Sequence, residues 1–313
     1  MTTAMTTAKC EVRRAKRLRR AKGLRRAKGL RRAKRFGWVC GLAVGCLTLL
    51  AVVPVADAQR GGGRGGRGGG GMDPRDYARF FTNDFFTPPD WHGNPPYDGR
   101  FTFARIKYRG FGRYNGREGP GWSHDYPHAE VHLMRIMREI TALRPFEESG
   151  SRAGGVIVGL DEPDLFKYPV AYLSEPGGWF PNDKEVEGLR KYLQKGGFLI
   201  VDDFPGNDWS TFEQAISKVL PGVRVTEMTG KEPIFDSFYK IDLSQLRISS
   251  YGRPAYLAIY ENNDPKKRLL AIINYNNDIG ESWQWSGSGW VPVDISNEAY
   301  KLGVNYLIYA LTH

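Results

Sequence analysis

The chain holds five histidines and 34 acidic residues, and a few of them are spaced so that several could act together. His124, His128 and His132 recur every four residues, a spacing that stacks side chains along one side of a helix. Imidazole combined with carboxylate is a ligand set for zinc or a similar divalent ion. The order from His128 is His-Ala-Glu-Val-His, however, so the glutamate stands one place too late to be the general base of an H-E-x-x-H site. Pro127 also starts a helix after His124, which detaches the first histidine from that spacing, and histidines on the flank of a helix can simply be solvated. Acidic residues follow three apolar runs: Asp161-Glu162 after Gly155–Leu160, Ser174-Glu175 after Pro169–Leu173, and Asp202-Asp203 after Phe198–Val201. Carboxylates placed at strand ends can bind a ligand or cap a turn through backbone N–H groups. Adjacent residues alternate faces, so at most one of Asp202 and Asp203 faces a cleft. Asn274, Asn277 and Asp278, near Trp283 and Trp285, read as a polar and aromatic rim able to stack a sugar or peptide, or else as packing.

Positioning these groups falls to alternating strands and helices. Strands are predicted over 101–108, 155–160, 169–173, 198–201, 255–260 and 269–274. A helix from Pro127 to Leu143 presents Ala129, Leu133, Ile136 and Ile140 to the core. A second follows Asn182, whose capping box with Glu185 precedes Val186, Leu189 and Leu193 and which ends before Gly196. Ser210 and Glu213 form another capping box, and the helix they open stops at Pro221. A terminal helix over 297–311 turns Ala299, Leu302, Tyr306 and Ala310 inward, and Asn305 within it is suited to bind a neighbouring loop. The run Phe-Leu-Ile-Val at 198–201 is apolar on both faces, as a covered parallel strand should be. The predicted class is α/β, a mainly parallel sheet with helices on both faces, in one domain over 101–313.

The N-terminal third differs. Residues 1–36 contain 15 Lys+Arg and one acid in a tandem hexapeptide (RRAKRL, RRAKGL, RRAKGL, RRAKRF), too short a period for a solenoid. The remaining residues hold 30 bases and 33 acids, so the net charge of +11 sits in this leader and no nucleic-acid partner is expected of the rest. An apolar run at 36–55 and Ala56-Asp57-Ala58 complete the pattern of a secretory signal peptide cleaved after Ala58, with an uncleaved single membrane anchor as the alternative. Residues 59–71 are a Gly/Arg-rich linker and 72–100 an arm rich in Pro, Phe and Trp. Cys10, Cys40 and Cys46 all precede the expected cleavage point. The mature chain therefore has no disulfide and no thiol nucleophile.

Spaced motifs carry a resemblance. Trp122 stands with Asp125-Tyr126-Pro127, Tyr168-Pro169 with Tyr172-Leu173, Leu189 with Tyr192-Leu193, and Gly196-Gly197-Phe198-Leu199 with Asp202-Asp203. Asn274 with Asn277-Asp278, and Gly303-Val304-Asn305 with Tyr309-Ala310, continue the series. Over about 101–312 the chain resembles the bacterial family called domain of unknown function 4159; it departs at Glu232, where the family pattern leads one to expect a histidine. The resemblance implies a flavodoxin-like, class I glutamine-amidotransferase-like fold, often exported or membrane-attached and sometimes beside von Willebrand-type modules, with no assigned reaction. Amidotransferases of that fold carry a nucleophilic cysteine on a sharp turn after a strand, where this chain has Asp202-Asp203-Phe204-Pro205-Gly206. Without a thiolate the thioester route cannot run.

The expected function is an exported, non-catalytic module that binds a small ligand or an envelope protein at the carboxyl edge of its sheet. Candidate binding residues are Asp202, Asp203, Asp125, His124, His128, Asn277 and Asp278. The alternatives are a metal- or carboxylate-dependent hydrolase using His124, His128, Asp125 and Asp202 or Asp203, and a structural envelope component recruited through its arm. No cofactor is predicted, a divalent metal is admissible at His124 and His128, and membrane contact is expected only through an uncleaved leader.

Overall fold

The computed structural model describes residues 91, 93–108, 121–146, 155–248 and 251–313. The leader, the linker and residues 72–90 of the arm lie outside the described residues. Among the described residues seven strands form one sheet in the order β2-β1-β3-β4-β7-β6-β5. They are β1 (Phe103–Lys107), β2 (Gly155–Gly159), β3 (Val170–Ser174), β4 (Phe198–Asp202), β5 (Val225–Glu227), β6 (Ala255–Tyr260) and β7 (Leu269–Tyr275). Strands β1 to β4 and β7 are parallel, whereas β6 runs antiparallel to β7 and β5 antiparallel to β6. The eight residues between β6 and β7 are too few for the crossover that a parallel pair needs, and Asn262 and Asn263 turn them with φ of 55° and 57°.

Among the described residues five α-helices cover the sheet: α1 (His128–Ile140), α2 (Asp183–Gln194), α3 (Trp209–Val219), α4 (Ile279–Gln284) and α5 (Val293–Thr312). Helices α1, α4 and α5 share one apolar core with Phe103, Tyr172, Ile200 and Ile272, while α2 and α3 share a second with Val158, Leu173, Val201 and Ile273. Alternating residues of β3 and β4 thus feed two cores, which is why both strands are apolar throughout. This is the predicted α/β arrangement. The direction of β1's two connections, out to β2 and back across to β3, creates a switch point between β1 and β3. Among the described residues no helix is long and apolar enough to cross a membrane.

Local signals explain most element ends. Asn182 accepts from the Lys184 and Glu185 amides at 2.9 and 3.1 Å, and the Glu185 carboxylate returns to the Asn182 amide at 2.8 Å. Gly196, at φ 100°, ends the excursion after α2. The second predicted capping box is a correction: α3 starts at Trp209, because residues 206–208 already form a 3-10 turn that runs into it, so Ser210 lies inside the helix. The core face of α1 is also corrected. Ala129, Leu133, Met134 and Met137 are fully buried with Glu130, whereas Ile136 and Ile140 are on the margin, because the helix is rotated to turn Glu130 inward. Asn305 does bind a loop, accepting from the Phe238 and Tyr239 amides and donating to the Tyr239 carbonyl at 2.8 Å. The described end of the arm lies on the edge strand: Asn94 accepts from the Ile157 amide at 2.9 Å and donates to its carbonyl at 2.6 Å. That occupies backbone groups which β2 would otherwise present as an open edge.

Candidate functional site

The site begins with a buried cation. Arg105 lies in β1 among apolar neighbours, fully buried, and its Nε donates to Glu130 of α1. One guanidinium nitrogen donates to the carbonyls of Trp122 and His124 at 2.9 and 2.8 Å, and the group lies 5.0 Å from the centre of the Tyr172 ring. Burial works against the charged form, but the charge and hydrogen bond of Glu130 outweigh it and hold the guanidinium protonated. Arg105 therefore clamps the turn 121–125, and with it the side chains of His124 and Asp125.

Asp202, the last residue of β4, is an anchor. Its carboxylate accepts from Tyr172 Oη at 2.7 Å, from Asn274 Nδ2 at 3.0 Å, and from the Ile279 and Gly280 amides at 3.1 and 2.9 Å. Asp278 accepts from the Glu281 amide at 2.8 Å, so these two carboxylates satisfy the first amides of α4. Burial pushes the Asp202 carboxyl up, and its four donors draw it part of the way back. Asn274 passes the network on by accepting from Tyr306 Oη at 2.8 Å.

Asp203 turns the other way. It stands first after β4 with φ 57°; Glu175, first after β3, has φ 45°, and Asn276, first after β7, has φ 56°. Asp125, in the turn ahead of α1, has φ 63°. Four non-glycine residues in the left-handed region at one edge of a sheet are a concentration of backbone strain, which structures keep where geometry serves a purpose. Asp203 Oδ1 accepts from Tyr251 Oη at 2.7 Å, and His124 Nδ1 pairs with Glu175 Oε1. Gly121 leaves the space that Glu175 fills, since a Cβ there would come 2.2 Å from Glu175 Oε2.

Two sets of groups approach closely enough to share an ion: His124, Glu175 and Asp203, and Asp125, Asp203 and Asp278, with donor atoms within 4.8 Å of one another in each set. Burial, and then the charge of Glu175, push the Asp203 carboxyl up to about 7. Burial followed by the charge of Asp203 raises Asp125 and Asp278 well above the ordinary carboxylate value. Burial lowers His124, but its hydrogen bond and ion pair with Glu175 prevail and leave it raised. Such mutual perturbation at a strand edge marks a functional-site candidate.

The sequence-predicted residues separate accordingly. His124, Asp125, Asp203 and Asp278 come together. Asp202 stands beside them as structural support, and Asn277 is buried, donating to Tyr256 Oη at 3.3 Å and accepting from the Asp278 amide. His128 belongs to neither set; it is exposed at the start of α1 with its ring 6.2 Å from that of His132, which contacts the Trp283 carbonyl at 2.9 Å. His124 and His128 share no candidate ligand set, and the turn at Asp125 ends the helical spacing between them, as Pro127 led one to expect. The polar and aromatic rim is corrected too: Asn274 and Trp283 are fully buried, and only Trp285 of that group is well exposed. Asp161 and Glu162 lie beyond the edge strand β2, where Glu162 pairs with Lys107 at 2.7 Å. Glu232, where the resemblance led one to expect a histidine, closes a turn by accepting from the Thr229 and Gly230 amides. Arg105, Glu130 and Tyr251 escaped sequence reasoning. A lone arginine within an apolar strand was the available signal for the first.

Fold and site together define an α/β domain with a strained, acidic rim at the carboxyl edge of its parallel strands. The chain belongs to the family described as a domain of unknown function (DUF4159), whose match spans residues 102–311. No curated protein matches the sequence.

Proposed function

We propose that the protein is an exported ligand-binding module whose binding site is the rim formed by His124, Asp125, Glu175, Asp203, Tyr251 and Asp278. The observation that carries this reading is the set of left-handed residues, Asp125, Glu175 and Asp203, that bring carboxylates from separate elements to one edge. Parallel α/β sheets bind ligands at this edge, beside a switch point. The order of the parallel strands, β2-β1-β3-β4-β7, supports the flavodoxin-like reading of the fold. Asp203 occupies the turn after β4 where an amidotransferase of that fold would carry its cysteine, so the binding reading is preferred to a glutaminase. Export rests on the basic stretch, the apolar run and Ala56-Asp57-Ala58. Ligands are a small molecule or an envelope protein.

A second reading, a hydrolase, has one observation in its favour. A carboxyl raised to about 7 is suited to general acid–base work at neutral pH. The test is a thermal-shift screen of metabolites and glycans on wild-type protein and Asp203→Asn, run with chelator and again with added Mn²⁺. A compound that stabilises only the wild type supports the binding reading, and its conversion to product would favour the hydrolase. Compounds that stabilise both proteins equally would remove the rim from consideration. N-terminal sequencing of the chain from an envelope fraction, beginning at Gln59, tests export.

A further inference from the structure

Asp125 is the least explained side chain of the rim. It is nine-tenths buried, and among the described residues its Oδ2 has no hydrogen-bond partner. A buried carboxylate oxygen without a donor is costly, and native structures rarely leave one without a counterpart. Its position is enforced from three sides. The Arg105 clamp fixes the preceding carbonyl, the backbone holds φ at 63°, and Gly280 lacks the Cβ that would otherwise lie 2.6 Å from Oδ2. The oxygen is therefore directed into the space it shares with Asp203 and Asp278.

The charges nearby do not balance. Asp125, Asp202, Asp203 and Asp278 are all buried, and Arg105 is already matched by Glu130. His124, the other cationic group at hand, is paired with Glu175. Asp202 is satisfied by its donors, which leaves Asp125, Asp203 and Asp278 facing one another.

We propose that Asp125, Asp203 and Asp278 chelate a divalent cation of the oxygen-preferring class that includes Mg²⁺, Mn²⁺ and Ca²⁺. The inference rests on the rim being the binding site and specifies what that site takes first. Three carboxylates from three elements, with donor atoms within 4.8 Å of one another, supply the hard oxygen donors such ions require, and water completes the shell. The alternative set with His124 is less suitable. Its imidazole and Glu175 already neutralise one another, and an ion there would leave Asp125 Oδ2 unmatched. Two of the proposed ligands are also held by bonds to one carboxylate oxygen that leave the other for the ion: Asp203 uses Oδ1 for Tyr251, and Asp278 uses Oδ1 for the cap of α4. A bound cation would present an open coordination position at the rim to an anionic or oxygen-rich ligand.

The test titrates Mn²⁺ into the chelator-stripped full chain and follows the free aqueous ion by electron paramagnetic resonance. One tight Mn²⁺ per chain is expected, displaced by excess Mg²⁺ or Ca²⁺. Asp278→Asn removes a ligand yet keeps an equally good helix cap, so it should fold normally and bind at least about tenfold more weakly. Asp125→Asn should weaken binding similarly, and the exposed Asp161→Asn should not change it. Absence of saturable binding, or equal binding by wild type and Asp278→Asn, would overturn the proposal and assign the charge excess to protons instead. In that event a ligand that stabilises wild type but not Asp203→Asn under chelator leaves the binding reading intact. If Mn²⁺ binds as expected but no compound distinguishes the two proteins, the cation site stands and the wider reading falls.

Discussion

At the carboxyl end of β4 the chain sets two carboxylates side by side, and the regions they enter are built on different terms. Around Asp202 the hydrogen-bond partners are all donors: a tyrosine hydroxyl, an asparagine amide and two helix N–H groups. Around Asp203 one donor, Tyr251, is outnumbered by Glu175, Asp125 and Asp278. The first region is complete without any addition and holds α4 to the sheet. The second carries an excess of like charge that folding alone does not resolve. Adjacency in sequence therefore says little about role; what distinguishes the two is whether the surroundings satisfy the charged form.

Substitutions can break this comparison in order of size. Arg105→Ala should be the most damaging, lowering stability by about 3–5 kcal/mol in urea unfolding, because it leaves Glu130 buried without its partner and frees the turn that carries His124 and Asp125. Asp202→Asn should cost about 2–4 kcal/mol by the same measurement, since its amide NH₂ would face other donors. Gly280→Ala should cost about 1–3 kcal/mol, as the new methyl would lie 2.5 Å from Tyr172 Oη and 2.6 Å from Asp125 Oδ2. His128→Ala should change stability by less than about 0.5 kcal/mol and leave any ligand affinity intact.

The pH dependence sharpens the same contrast. Asp125, Asp203 and Asp278 are raised on folding, so between the ordinary carboxylate value of 3.8 and, for Asp203, about 7 the folded chain binds more protons than the unfolded one. Stability falls with rising pH wherever that holds. His124 adds the same sign: its contribution is complete below the usual 6.5 and disappears as pH passes its raised value. Asp98, Glu187, Glu232 and Asp242 are lowered and act oppositely, but their effect is complete once pH exceeds the ordinary values of 3.8 and 4.5. Without divalent ions, the melting temperature should therefore decline from about pH 5 to about pH 8, and Asp203→Asn should flatten the decline.

Much of the scaffold was legible in the sequence. The apolar runs, the capping box at Asn182 and the inward face of the terminal helix follow from periodicity and local hydrogen bonding, and they recur in the structure with ends shifted by a few residues. The antiparallel return has a local signal as well, the turn-forming Glu261-Asn262-Asn263-Asp264-Pro265 between two strands, although strand direction there was not among the expectations. Short elements were not legible. Helix α4 has six residues and is held by carboxylates from Asp202 and Asp278, one of them distant in sequence, so no local period announces it. The site was half visible. Strand-end acids pointed to Asp203 and Asp278, whereas the clamp on Asp125 depends on a pairing between β1 and α1 that no spacing reveals. The break in the histidine repeat was legible too, since Pro127 places the start of α1 after His124.

The most direct measurement compares the thermal unfolding of wild type, Asp202→Asn and Asp203→Asn at about pH 8 without divalent ions. The expected result is a marked fall for Asp202→Asn, with Asp203→Asn melting at or above the wild type because one repelling charge is gone while an acceptor for Tyr251 remains. A fall in Asp203→Asn as large as that in Asp202→Asn would contradict the division between a satisfied anchor and a charged rim.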